Sequence, residues 1–162
     1  MKESLEIELY NQYPSLFSLK ENPNEPIGAY GIECGDGWYE ILSSLCFMIA
    51  QQERNIEGNN KYRISQNQEP VEYESFRFTQ IKEKFGGLRV YYYGGKEYTR
   101  GLIGMAESWS YNTCEKCGEK GSKRGKGWIT VLCDKCDNKG KRLEALQRLS
   151  DLDQELENKY KN

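Results

Sequence analysis

The stretch Cys114-Glu-Lys-Cys-Gly-Glu-Lys-Gly-Ser-Lys-Arg-Gly-Lys-Gly-Trp-Ile-Thr-Val-Leu-Cys-Asp-Lys-Cys136 decides the architecture of this chain. Two Cys-x-x-Cys turns, Cys114/Cys117 and Cys133/Cys136, stand 15 residues apart, the spacing of a four-cysteine zinc site. Each turn sets two thiolates on one side of a tight bend, and two facing turns complete a tetrahedron. A closed tetrahedron leaves no coordination position for water, so the reading is a structural Zn²⁺ within a zinc ribbon spanning 111–138. Between the turns, Gly127 to Leu132 reads as a strand that delivers Cys133.

Upstream of the ribbon the chain holds material for one small domain over 1–110, and downstream a helix over 139–162, within 162 residues in all. Gly31-Ile-Glu-Cys-Gly-Asp-Gly-Trp38 is a glycine-rich turn, with Asp36 placed to cap a helix. Trp38, Ile41, Leu42, Leu45, Cys46, Ile49 and Ala50 then recur at helical spacing, predicting a core helix over 37–52 with Cys46 a buried thiol. Shorter helical signals cover 3–11 and the turn at 15–17, and the prolines at 23 and 26 mark a loop over 21–28. The polar run 53–72 predicts a solvent-exposed connection.

Phe76 to Ile81 and Leu88 to Tyr93 alternate apolar with polar about the turn Lys84-Phe-Gly-Gly87. An antiparallel hairpin is expected, with Phe76, Phe78, Ile81, Leu88, Val90 and Tyr92 inward and the turn shifting the register. A helix over 98–111 follows, with Leu102, Ile103, Ala106 and Trp109 facing in. Leu143, Leu146, Leu149, Leu152 and Leu156 predict an amphipathic helix over 138–159, which docks on the domain or pairs two chains as a homodimer. The fold class is therefore α+β: a short antiparallel sheet packed on helices, a zinc ribbon and a C-terminal helix.

Composition narrows the chemistry. There is no histidine, which excludes Ser-His-Asp and Cys-His catalysis and histidine-ligated zinc hydrolases. A mean hydropathy of −0.85 and no apolar run near the roughly 18 residues of a membrane span predict a soluble protein without a membrane partner. The opening Met-Lys-Glu-Ser-Leu-Glu lacks the pattern of a secretory signal, and metal-bound rather than oxidised cysteines agree with a cytoplasmic setting. Net charge is −2, unevenly placed: residues 1–40 hold eight acids and two lysines, whereas residues 114–142 hold nine Lys/Arg and four acids. The basic end would suit phosphates or an acidic protein surface.

The motifs Gly31-Ile-Glu-Cys-Gly-Asp-Gly-Trp-Tyr39 and Gln80-Ile-Lys-Glu-Lys-Phe-Gly-Gly-Leu-Arg-Val-Tyr-Tyr92 precede Met105-Ala-Glu107 and a ribbon ending Gly-Trp-Ile-Thr-Val-Leu-Cys133. Together they resemble a group of small, uncharacterised proteins encoded by phages, prophages and bacteria. The resemblance covers about residues 30–136 and implies a bacterial or phage cytosolic setting. It carries over no catalytic residue.

The candidate contacts are of three kinds. Glu33 and Asp36, with Glu40 and Trp38 beside them, offer carboxylates for acid–base or cation chemistry, or simply a helix cap. Lys82, Lys84 and Arg89 flank Gly86-Gly87, as a positive-φ turn or as an anion contact, and Tyr91 and Tyr93 lie alongside for protein contact or base stacking. Lys123, Arg124 and Lys126 interleave with glycine in the ribbon loop and would grip nucleic-acid backbone. The leading expectation is a non-enzymatic binding protein of phage or prophage type. It would engage a host protein or a small nucleotide-like ligand, with counter-defence inhibition as one such role. The alternatives are a zinc-ribbon DNA- or RNA-binding accessory protein and an enzyme built on Glu33 and Asp36.

Overall fold

The apolar stripe that begins at Trp38 forms the spine of the computed structural model, which describes residues 1–125, 127–137, 146–150 and 154. Ile41, Leu42, Leu45, Cys46 and Ile49 are the buried face of helix α3, Tyr39–Ser65. At 1.5 Å per residue its 27 residues reach about 40 Å. The helix thus absorbs residues 53–65 of the polar run 53–72 expected to be a connection. Nothing between Glu53 and Ser65 stops a helix except Gly58, whose side-chain position meets open space. Polarity there marks a solvated helix face. The chain then returns along α3: the Asn60 amide donates to Val71 O at 2.9 Å and accepts from Val71 N–H at 2.7 Å.

Helix α1 (Glu3–Gln12) and the turns after it bring Leu9, Leu16 and Phe17 against this stripe, all with 0% exposure. Burying each such side chain contributes roughly 1.5–3 kcal/mol. Helix α2 (Pro26–Tyr30), with proline in its first turn, occupies the end of the segment expected as loop and buries Ile27.

The sheet is where the expectation needs correction. It has three strands, β1 (Ile32–Glu33), β2 (Arg77–Lys84) and β3 (Gly87–Tyr93), in the order β1-β2-β3. The β2/β3 hairpin is antiparallel as expected, but β1 adds in parallel, pairing Ile32 with Ile81 and Glu33 with Lys82. Two paired residues in a glycine-rich turn carry no alternation from which a strand can be read. Phe85 (φ 55°) and Gly86 (φ 75°) form the two-residue connection, with the left-handed backbone that a tight hairpin of matching twist requires. The register shift lies between Phe78 and Gln80, not at the turn. An extra residue there lets Phe78 and Ile81, three apart, both face the core.

Helix α4 (Glu97–Ser110) covers the outer edge of β3. The Ser110 hydroxyl accepts from Leu88 N–H at 2.8 Å and the Glu107 carboxylate from Val90 N–H at 3.1 Å. Leu102, Ile103 and Ala106 face inward as expected, but Trp109 is 51% exposed. Of the helix expected over 138–159, residues 146–150 and 154 are helical, with Leu146 and Leu149 exposed; the remaining residues lie outside the described ones, which do not bear on the homodimer it would support.

Candidate metal centre and an open sheet face

Past α4 the chain turns through Tyr111 to Thr113 and enters the first Cys-x-x-Cys bend. Cys114 N–H donates to Glu119 O at 2.7 Å and Gly118 N–H to Cys114 O at 2.9 Å, closing the bend around Gly118, whose φ is 80°. Strands β4 (Ser122–Arg124) and β5 (Thr130–Leu132) pair antiparallel and return the chain to Cys133. The second bend is closed by Asp137 N–H to Cys133 O at 3.0 Å, and Cys136 N–H points at Cys133 Sγ at 3.4 Å.

The two bends bring the four sulfurs of Cys114, Cys117, Cys133 and Cys136 within 4.8 Å of one another. Cys117 Sγ and Cys133 Sγ stand 3.6 Å apart, too far for a disulfide of about 2.05 Å. Burial raises the Cys114 thiol, but backbone N–H groups of Cys133, Cys117 and Lys116 together outweigh it and bring it down to about 7. Hydrogen bonding with Cys117 and Cys133 pushes the Cys136 thiol up to about 12. Four thiols converging at this distance, with Cys114 already drawn toward the thiolate, suit a cation that would hold them as thiolates. The donor set therefore fits a metal ion.

This knuckle is joined closely to the body of the fold. Gly37 N–H donates to Glu115 O at 2.8 Å, Gly35 N–H to the Glu115 carboxylate at 3.0 Å, and the buried Trp38 indole to Thr113 O at 2.9 Å. A Cβ on Gly37 would stand 2.1 Å from Cys114 O, so only glycine allows the approach. Cys34 is buried beside this junction, its thiol pushed up to about 12 by burial, and is not among the four clustered sulfurs.

These contacts revise several candidates. Trp38, expected to meet a ligand or partner, has 0% exposure and instead anchors the knuckle. Asp36 caps no helix: its carboxylate accepts from Lys2 N–H at 2.7 Å and pairs with Lys2 Nζ at 3.0 Å. Glu33 takes a different partner, accepting from the Gln80 amide at 3.1 Å, so the two carboxylates do not share a site. Glu40, in the first turn of α3, is exposed. Arg124, expected to grip nucleic acid, ties the ribbon together through Leu132 O at 3.2 Å, Asp134 at 2.6 Å and Asp137 at 3.7 Å. Lys126 lies outside the described residues.

The sheet does bring the rest together. Registry sets Glu33, Lys82 and Arg89 in one row across β1, β2 and β3, on the face opposite Ile32, Ile81 and Val90. Tyr91 (43% exposed) and Tyr93 (50% exposed) share that face. Lys82 Nζ lies 5.3 Å from the Tyr91 ring and the Arg77 guanidinium 6.0 Å from Tyr93. Tyr111 closes the corner nearest the ribbon: its ring lies where a Gly87 side chain would be, its hydroxyl meets Arg89 at 2.6 Å, and Lys123 Nζ stands 4.5 Å above it. Sequence reading passed over Tyr111, which no pattern marks, and over Phe85 and Trp128, 71% and 81% exposed at the tips of the hairpin and the ribbon loop.

No helix among the described residues is long and apolar enough to cross a membrane. No family model, curated protein or solved structure matches the chain, and its reading rests on this geometry.

Proposed function

We propose that this is a non-catalytic binding protein of phage or prophage type that holds a short single-stranded nucleic-acid segment on its open sheet face, with a structural zinc fixing the fold beneath one corner. The observation that carries the reading is the pairing of cations with rings. Lys82, Lys84 and Lys123 lie 5.3, 5.5 and 4.5 Å from the rings of Tyr91, Phe85 and Tyr111. No ion pair to a carboxylate is present for any of the three among the described residues, whereas Arg77 and Arg89 face Glu74 and Glu107. Tyr91 and Phe85 are exposed and Tyr111 is half-buried, and ammonium groups left for phosphate beside such rings are the elements of sequence-tolerant strand binding. The overall acidity of the chain does not oppose this, because the excess of acids over bases lies in residues 1–40, with eight acids against two lysines.

The test is fluorescence anisotropy with a labelled oligothymidylate of about ten nucleotides. Three phosphate contacts predict a log–log salt slope near −2, so that raising salt from about 50 to 200 mM weakens binding roughly 20-fold. Changing Lys82, Lys84 and Lys123 to alanine flattens the slope, and Tyr91→Ala weakens binding by about 1–3 kcal/mol. Absence of saturable binding at low salt removes the reading.

Zinc is the metal this site suits. Zn–S bonds of about 2.3 Å place tetrahedral sulfurs about 3.8 Å apart, close to the 3.6 Å between Cys117 and Cys133. Four thiolates also suit iron, so elemental analysis of the purified protein decides: one zinc per chain supports the assignment, and iron replaces it.

A further inference from the structure

Between the hairpin tip and the ribbon loop lies a cleft of about 260 Å³, lined by Glu83, Lys84, Phe85, Gly127, Trp128 and Ile129. Its base is fixed where the two segments touch: a Cβ on Gly86 would stand 2.8 Å from Ile129 Cγ2. Its aromatic members, Phe85 and Trp128, are 71% and 81% exposed and come from separate parts of the chain. Neither gains stability by burial. Phe85 also occupies a left-handed backbone position, φ 55°, where Asn or Gly is at ease and a bulky residue is strained. A large apolar ring held there without burial points to a use outside the fold.

The rim decides what kind of ring the cleft would receive. The Glu83 carboxylate is occupied by Gly86 N–H at 2.6 Å, while Lys84 Nζ lies 5.5 Å from the Phe85 ring. The cleft is thus aromatic within, with one ammonium, Lys84, and one carboxylate, Glu83, at its edge; the carboxylate is engaged by the hairpin backbone, and a flat ring whose attached anion meets Lys84 suits it. Its volume falls below the roughly 300–1,000 Å³ of sites for drug-sized ligands, consistent with one ring system. Lys84 closes strand β2, so the cleft continues the Lys82 side of the sheet face.

We infer that the Phe85–Trp128 cleft is a nucleobase pocket that takes one base at the end of the strand held on the sheet. This rests on the nucleic-acid reading above, and its test separates the two. The full-length, metal-loaded protein is irradiated with an oligonucleotide of about ten residues bearing 5-iodouracil, and the cross-linked peptides are identified by mass spectrometry. Cross-links at Phe85 or Trp128 support the pocket. Cross-links confined to Tyr91 and Tyr93 overturn it and keep the strand reading, and failure of any saturable binding overturns both.

Two variants give an independent measure. Trp128→Ala weakens oligonucleotide binding about tenfold to a hundredfold. Phe85→Asn weakens it similarly while relieving the backbone, raising the melting temperature by about 1–4 °C. Affinity unchanged in Trp128→Ala ends the nucleobase inference.

Discussion

Replacing Gly37 by alanine tests the junction on which the structure depends. The added Cβ would meet Cys114 O at 2.1 Å, Gly118 N at 2.4 Å and Cys117 N at 2.7 Å, all backbone atoms of the knuckle that no rotamer change can move. Heavy-atom contact needs about 3.0 Å or more, so the knuckle must retreat by about 1 Å. That displacement strains or breaks Gly37 N–H to Glu115 O, now 2.8 Å, and Trp38 Nε1–H to Thr113 O, now 2.9 Å. Leaving two such groups unpaired costs about 1–3 kcal/mol each, a loss of about 2–6 kcal/mol from a typical total of about 5–15. Urea denaturation of the metal-loaded protein, followed by circular dichroism, gives the number. Gly101→Ala on α4, where nothing lies within 4 Å of the added carbon, is the control and gains about 0.5–1 kcal/mol. A Gly37→Ala midpoint within about 0.5 kcal/mol of wild type would refute the claim that the turn and the knuckle are in direct backbone contact.

Two further outcomes follow from the same coordinates. Stripping the metal with a strong chelator, or changing Cys133 to serine, unfolds residues 113–137 and also loosens the start of α3, read as a red shift of Trp38 emission; loss confined to the ribbon would show that the body stands without it. Burial raises the Glu53 carboxyl, opposed by Phe76 N–H and reinforced by Glu57, so its folded form binds a proton more readily than the unfolded chain. That contribution is fully present below the unfolded value and is lost as pH rises through the folded one, so Glu53→Gln gains on wild type as pH rises above the ordinary carboxylate range. A difference that shrinks with rising pH contradicts the sign.

What could be read from the sequence was whatever depends on near neighbours in the chain. The cysteine spacing placed four sulfurs, and the alternation about Phe85-Gly86 gave the hairpin with its buried residues from Phe76 to Tyr92. What could not be read depends on distant partners. Trp38 has the composition of a surface anchor and the position of a core residue, and the acceptor that settles the matter lies 75 residues away. Arg124 looks like its basic neighbours until Asp134 and Asp137 are seen beside it. The second half of α3 was missed because a solvated helix and a solvated loop share one composition, and the difference lies in Asn60 and Arg63 holding the returning chain.

The junction also has a consequence for biosynthesis. Gly35 and the Glu115 carboxylate that receives its N–H are 80 residues apart in the chain. A ribosome adding about 5–20 residues per second takes roughly 4–16 s to cover that distance. Throughout that interval the Trp38 indole and the Gly37 amide lack the acceptors that the second half of the chain supplies. The junction at the start of the early-made helix is therefore completed only when a bend made much later arrives to supply those acceptors.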